Sequence, residues 1–450
     1  MLVSIIFSLL LGYGAFRYGA VLAEDWAILV AGVGILAALD AVFAWRHPVK
    51  PDRLACVFAG VLLVAAAAQL VPLPVGLLQT LSPSAADIHL GLSAIGAPPE
   101  RATLSITPSE TTGLFLKLAG CLTALFLARR LTLRLRNRAW WLVVPIVSVA
   151  AGEAVLGLVQ YALGGPDSVT RGTYINRNHF AGLLELALPL PLMGAVWVYR
   201  RHRTKYETPA SSAVAACALL GLAGIILLGI LLSLSRMGFL AALGSLFVTG
   251  AITLSTAFVP QGGKSRPGLR WIPAGGVAAA VFLGFIFLPT DQLIARFAAV
   301  ASTEEVSAET RAELWRESAP LIAASPVFGF GLGGYESAFM RYKHVAPMQR
   351  ADFAHNDYLQ LLIELGLLGF VPGFALAALA HAGALNAAAA PATASERYLG
   401  IGCSASLIAL TLHSFVDFNL YIPANALAVS WIAGIALALR FYRPNTLTWR

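Results

Sequence analysis

The stretch Ala213 to Leu234, AVAACALLGLAGIILLGILLSL, carries no charged side chain over 22 residues. At about 1.5 Å per residue a helix of that length reaches roughly 33 Å, enough to cross the hydrocarbon core of a bilayer. The rest of the chain has the same character: of 450 residues 58% are hydrophobic and only 12% charged, with a mean hydropathy of +0.75. A soluble domain usually carries about 25% charged residues. This composition excludes a water-soluble fold. It leaves helices in lipid, which satisfy their own backbone hydrogen bonds.

Working outward, apolar runs place spans at Leu2 to Leu22, Ala27 to Trp45, Leu54 to Val71, Gly113 to Ala128, Ala139 to Leu163 and His179 to Tyr199. After the opening stretch come Met237 to Val259, Trp271 to Leu288, Tyr358 to Leu385, Tyr398 to Phe415 and Leu420 to Leu439. The reading is an all-α polytopic membrane protein with about twelve transmembrane helices. The first run is the weakest, because Arg17 interrupts it and must snorkel or face protein. It also lacks the basic start of a signal peptide.

Charge in the connections sets the orientation, since Lys and Arg accumulate on the cytoplasmic side. Alternate connections hold Arg46, Lys50 and Arg53; Arg129, Arg130, Arg134, Arg136 and Arg138; Arg200, Arg201, Arg203 and Lys205; Lys264, Arg266 and Arg270; Arg397; and Arg440, Arg443 and Arg450. These make up 19 of the 31 basic residues, against the acids Asp52, Glu207 and Glu396. Both termini are then cytoplasmic. Topology and anionic lipid account for the net charge of +8, and no nucleic-acid partner is implied. Cys56, Cys121, Cys217 and Cys403 fall within spans without ligand spacing and read as small core residues.

Two connections on the opposite side are long, Pro72 to Thr112 and Pro289 to Asp357. The first is rich in Ser, Pro and Gly and reads as a structural cover. The second contains a helical pattern over Glu309 to Ile322, in which Leu314, Trp315, Ala319, Leu321 and Ile322 share a face with Arg311. Arg311 either snorkels or pairs with an acid, or holds an anionic ligand, and the last is the preferred reading. The glycines of Gly329-Phe330-Gly331-Leu332-Gly333-Gly334 follow no strand, so a dinucleotide loop is rejected in favour of a tight turn or close backbone approach.

His355-Asn356-Asp357 closes this connection at the start of a span. Asn356 or Asp357 can cap that helix, and Asp357 with Gln360 has capping-box spacing. His355 then sits just outside a helix N-terminus, where an anion is favoured and where it is either structural or catalytic. The segment Arg171 to Phe180 crowds Tyr174, Arg177, Asn178 and His179 at the mouth of another span. Arg236 lies at or just below the outer interface, a costly position where it either snorkels or faces a polar cavity, and the latter is the preferred reading. Glu153, Glu185, Glu364 and Asp417 read as counter-ions for these arginines, and Asp40 has no partner evident from its neighbours in sequence.

Five motifs in this order resemble the O-antigen ligase and O-antigen polymerase superfamily of bacterial inner-membrane glycosyltransferases. They are Gly172 to Leu184 (GTYINRNHFAGLL), Ser233 to Gly238 (SLSRMG), Arg311 to Trp315 (RAELW), Pro326 to Gly334 (PVFGFGLGG) and Ala354 to Gly366 (AHNDYLQLLIELG). The similarity covers roughly Gly172 to Asp417. It implies a metal-independent, cofactor-free, inverting transfer of a glycan from an undecaprenyl diphosphate carrier on the periplasmic face. Lipid A-core is the first expected acceptor. A growing glycan in a polymerase and a protein hydroxyl in an O-oligosaccharyltransferase are the alternatives. A transporter or flippase of lipid-linked glycan is the reading from another class.

Carried over from the family, the catalytic residues are Arg236, Arg311 and His355. Arg177, Asn178, His179, Tyr174 and Asn356 are the substrate-binding candidates. Met237 stands where the family often has glycine directly after the arginine. The domain reading is an amino-terminal bundle over 1–171, a ligase-like membrane domain over 172–440 that includes a periplasmic loop at 289–357, and a cytoplasmic tail at 441–450.

Overall fold

With no water in a bilayer core, apolar runs can satisfy their backbones only as helices, and helices are what these runs form. The computed structural model describes residues 2–44, 48–91, 96, 99–164, 168–202, 209–257, 308–343 and 351–441. In chain order the helices are α1 (Leu2–Phe16), α2 (Ala23–Ala44), α3 (Arg53–Ala68), α4 (Val75–Leu81), α5 (Pro83–Gly91), α6 (Pro108–Arg134), α7 (Val144–Gly164), α8 (Arg177–Ala187) and α9 (Pro189–His202). They continue with α10 (Pro209–Leu232), α11 (Arg236–Ala257), α12 (Ala308–Ala324), α13 (Tyr335–Tyr342), α14 (Asp357–Ala389), α15 (Ala394–His413) and α16 (Pro423–Leu439). The strand pairing among the described residues is the short antiparallel pair β1 (Leu73–Pro74) and β2 (Arg101–Ala102).

By length and composition, seven helical stretches among the described residues can cross a membrane, and α1, α3 and α16 are shorter apolar helices. The span expected at Trp271 to Leu288 lies outside the described residues. The first expected span is too long: α1 stops at Phe16, so Arg17 follows the helix rather than interrupting it. Arg17 Nε lies 3.1 Å from Asp25 Oδ1, which explains how the charge is accommodated.

One large apolar core joins both ends of the sequence, and Phe7 of α1 stacks on Trp431 of α16 with ring centroids 3.7 Å apart. At its centre α8 is buried on every face, from Arg177 to Ala187. A helix apolar on one stripe can lie at a surface, whereas one enclosed all round must be surrounded by other helices. Here α7, α10, α11, α15 and α16 surround it.

The helix α14 is broken. Tyr358 donates its hydroxyl to Thr411 O at 2.8 Å, and Thr411 Oγ1 lies 3.5 Å from His381 Nε2. In a straight helix residues 358 and 381 would stand about 35 Å apart, too far to meet one threonine. The fold-back occurs at Gly366, whose φ of 59° is left-handed. A break in lipid is tolerated when the freed backbone groups find partners. Phe330 N and Gly331 N donate to Ile363 O and Glu364 O at 3.0 Å each. Leu367 N and Leu368 N donate to Pro326 O and Val327 O at 2.8 and 3.0 Å. The glycine-rich segment therefore replaces one turn of helix. Gly329 (φ 68°) and Gly366 lie so close together that a Cβ on either would meet the other segment's backbone.

The long connection after α3 packs onto this junction. Gln69 Nε2 donates to Phe328 O and Glu364 O at 2.8 Å each, and its Oε1 accepts from Leu332 N at 3.1 Å. Thr111 donates to Leu332 O at 2.7 Å and Ser84 to Ala324 O at 2.8 Å.

The two ends of the bundle differ in chemistry. At one, Asp40 is gripped by Arg130 and Arg134 at 2.7 Å each, Asp52 meets Arg440 at 3.3 Å and Glu396 meets Arg136 at 3.2 Å. Asp40 is thus partnered from α6, which its own neighbourhood in sequence did not reveal. The other end holds His179 in the first turn of α8 and the loops that bear His355 and Asp417.

Candidate active site

The first turn of α8 is set by Asn176, whose Oδ1 accepts from Asn178 N at 2.8 Å. This cap brings Arg177, Asn178 and His179 to the buried mouth of the bundle. At the start of α14 the cap is Asn356, accepting from Leu359 N at 3.0 Å. Asp357 does not cap. Its Oδ2 instead accepts from Ser414 Oγ at 2.8 Å and Leu420 N at 3.3 Å, while its N–H donates to Ser414 O and Asp417 O. Gln360 reaches back to Ala354 N at 2.9 Å, so the spacing of Asp357 and Gln360 does not form a capping box.

These bonds fasten the His355 turn to the α15–α16 connection. His355 itself has φ 47°, a left-handed backbone that is uncommon for a residue with a side chain. Such strain persists where the surroundings over-determine it. Its ring packs edge-on against Phe418 at 5.0 Å, His179 does so at 4.6 Å, and Phe353 stacks on Phe418 at 4.0 Å. Between the histidines lies Asp417, whose Oδ1 is 3.4 Å from His179 Nε2 and 3.8 Å from His355 Nδ1. Asp417 is 1% exposed, His179 7% and His355 19%, so access is graded toward His355.

Burial alone would push the Asp417 carboxyl up. Its contacts with His179 and His355, with His413 behind, overcome that and hold it well below the usual carboxylate range. Deeper in the bundle His413 Nδ1 lies 3.0 Å from Glu185 Oε1, and His413 Nε2 is 3.9 Å from Asp417 Oδ2. Glu153 is bonded by Thr173, and Glu364 by Tyr421 at 2.7 Å and Gln360 at 3.1 Å. The four acids expected as arginine counter-ions therefore meet histidines, hydroxyls and amides instead. Sequence reading missed Asp417 as a histidine partner, although the i, i+4 spacing of His413 and Asp417 on either side of a span end was a usable signal.

Arg311 is tied to this turn indirectly. Trp315, one helical turn later on α12, donates Nε1 to Ala354 O at 2.9 Å, next to His355. The Nε of Arg311 is buried without a hydrogen-bond partner. The buried face of α12 uses Ser318, bonded to Tyr335 at 2.9 Å, where Ala319 was expected, and Ala319 is exposed. Arg236 opens α11 and is exposed, and next to it Gly238 packs closely on Ala181 of α8. Tyr174 is 2% exposed, with its hydroxyl donating to Asn425 at 2.9 Å, and Asn425 in turn donates to His179 O at 2.9 Å.

Beside the cluster, an apolar cavity of about 330 Å³ lies between the two arms of α14 and helices α2, α6, α15 and α16. Ser414 and Tyr421 line it, and these touch Asp357 and Glu364.

No curated protein matches the chain. Residues 221–372, a segment that includes Arg236, Arg311, His355 and Asn356, match the family model described as O-antigen ligase, which supports the resemblance to the O-antigen ligase and polymerase superfamily.

Proposed function

We propose that the protein transfers an undecaprenyl-diphosphate-linked oligo- or polysaccharide to an acceptor hydroxyl at the periplasmic face of a bacterial inner membrane, with lipid A-core as the first acceptor. Twelve spans with both termini cytoplasmic, and a periplasmic loop over 289–357, put the histidine end outward. The membrane domain over 172–440 carries the chemistry beside an amino-terminal bundle at 1–171, and 441–450 forms a cytoplasmic tail. The observation that carries this reading is the meeting of His179 and His355 on the buried carboxylate of Asp417, inside a chain with an O-antigen ligase match.

In the proposed reaction the acceptor oxygen attacks the anomeric carbon from the face opposite the diphosphate. The new glycosidic bond forms as the bond to the diphosphate oxygen breaks, and that electron pair leaves with the diphosphate. His355 takes the hydroxyl proton, while Asp417 stabilises the imidazolium so formed. Arg236 and Arg311 hold the diphosphate, the role a divalent metal plays elsewhere. Arg177, Asn178 and Asn356 supply further polar contacts, Tyr174 supports them through Asn425, and the apolar cavity takes the first isoprene units of the carrier.

A broken helix beside an intramembrane cavity also suits a transporter. Purified protein in liposomes, given a labelled lipid-linked glycan and lipid A-core, tests both. Glycan appearing on the acceptor supports transfer, and movement of the lipid across the bilayer without transfer replaces it with transport. Surface glycans from a deletion strain separate the acceptors, since free lipid-linked polymer with uncapped core indicates a ligase and core bearing a single repeat indicates a polymerase.

A further inference from the structure

Two of the buried ionisable groups that the mechanism above leaves unused face each other. Glu185 and His413 are each fully buried, in α8 and at the end of α15, and they face one another at 3.0 Å. A carboxylate and an imidazole this deep in a lipid-spanning bundle are costly to place, and they persist when partnered and needed. Apolar residues of the same volume would fill the position at less cost.

The geometry of His413 indicates what the pair does. Its Nδ1 meets Glu185 Oε1, and its Nε2 points toward Asp417 Oδ2 at 3.9 Å. That Nε2 and that Oδ2 are both buried and have no other hydrogen-bond partner. The other oxygen of Asp417 faces His179 and His355. A neutral ring donates from only one nitrogen and would turn a lone pair toward one of the two carboxylates. An imidazolium turns an N–H toward both.

We infer that Glu185 and His413 form a buried positioning pair, in which His413 is an imidazolium clamped between Glu185 and Asp417 that fixes the Asp417 carboxylate and thereby sets the proton affinity of His355. Glu185 and His413 touch no substrate and act through Asp417. Other charged or titratable groups on the elements packed against α8 and α15 include Glu153 from α7, Arg200 from α9, Arg236 from α11, and Asp357, Glu364 and His381 from α14, with Arg177 and His179 on α8 itself. Among these, Asp357 is already bonded to Ser414 and Leu420 N. The catalytic meaning of the pair rests on His355 being the base, whereas the clamp itself does not.

Opposite charge changes give the test. Removing the His413 charge leaves the cluster more negative, so His355 should hold its proton to higher pH. Removing the Glu185 charge should have the reverse effect. One unit charge at about 8 to 10 Å moves a titration on the order of one pH unit. The readout is carbethoxylation of His355 by diethylpyrocarbonate, followed by mass spectrometry across pH in the full-length protein in nanodiscs. The reagent attacks the unprotonated ring, and His355 is the accessible member at 19% exposure.

His413→Gln should move the His355 profile up by about one pH unit, Glu185→Gln should move it down by a similar amount, and Glu185→Gln/His413→Gln should return it close to wild type. The double variant preserves the charge sum, so it remains informative if a single variant does not fold. Unshifted profiles in folded single variants, or shifts of the same sign in both, would overturn the inference, as would a double variant displaced as far as either single one. This readout needs no turnover. Opposite shifts without glycan transfer would refute the proposed function alone, and transfer with unshifted profiles would refute the clamp alone.

Discussion

Asp40 and Asp417 are both buried carboxylates near the end of a helical bundle, 5% and 1% exposed, and they are neutralised by different chemistry. Asp40 meets two guanidinium groups, at 2.7 Å each, that stay charged at every physiological pH. Asp417 meets three imidazoles, at 3.4, 3.8 and 3.9 Å, in contacts too long to be tight hydrogen bonds. Imidazoles change charge between about pH 5 and 8. A permanent pair fixes helices, whereas a loosely held carboxylate among imidazoles can stabilise a proton taken up by a neighbouring ring. The comparison thus separates an end built on guanidinium pairs from one built on imidazole contacts.

Breaking this contrast should produce the largest effects at the histidine end. Asp417→Asn and His355→Ala are each expected to cut transfer by about 10²- to 10⁴-fold. Asp40→Asn should leave transfer per folded molecule intact and lower stability by about 1–3 kcal/mol, a figure discounted because Arg130 and Arg134 remain partly solvated. Rates normalised to folded protein, with unfolding curves in detergent, check both. Equal losses at the two ends would erase the distinction. His355→Gln adds a qualitative mark: transfer should fall while donor binding is retained.

Arg311 comes next. If its guanidinium grips diphosphate through paired hydrogen bonds, lysine keeps the charge and loses the fork, so Arg311→Lys should still lose about 10²- to 10³-fold. Full activity in Arg311→Lys would reduce the residue to a general positive charge.

A smaller effect is expected at the helix break. Gly366→Ala puts a side chain at φ 59° against Val327 O, costing about 1–3 kcal/mol, readable as a lowered unfolding midpoint. Because Gly366 joins the arm bearing His355 and Asp357 to the arm lining the cavity, transfer should also fall. An unchanged midpoint would show that the break is not imposed by this contact.

These residues also explain what was legible beforehand. Run length gave the helical class, because lipid thickness acts on each segment independently. Arg236 stood out as a charge where charge is expensive, Arg311 as the charge on an apolar helix face, and His355 by its place just outside a helix N-terminus. The break at Gly366 could not be read locally, since its hydrogen-bond partners lie at Pro326 to Gly331, some forty residues earlier. The glycines there were read rightly as permitting close backbone approach, but what they approach is a helix. Asp40 was left without a partner, and Asp417 was assigned to the arginines, for the same reason: a buried acid is defined by what other helices bring to it, and sequence neighbours do not supply that.

The smallest predicted effect sharpens the comparison at acid pH. Contacts with the histidines hold Asp417 below the ordinary carboxylate range, so the folded protein binds that proton less tightly than the unfolded chain, whose aspartates titrate near about 3.9. Stability from this group is therefore fully present above about pH 4 and is lost as pH falls through the lower folded-state value. Asp417→Asn has no such proton to bind. Its unfolding midpoint should start lower at neutral pH and fall less steeply below about pH 4 than that of wild type. Thermal unfolding in the same detergent from pH 3 to 7 measures this slope. Parallel curves would mean that the histidines do not hold the Asp417 charge, and would remove the electrostatic difference between the two ends on which the proposed chemistry depends.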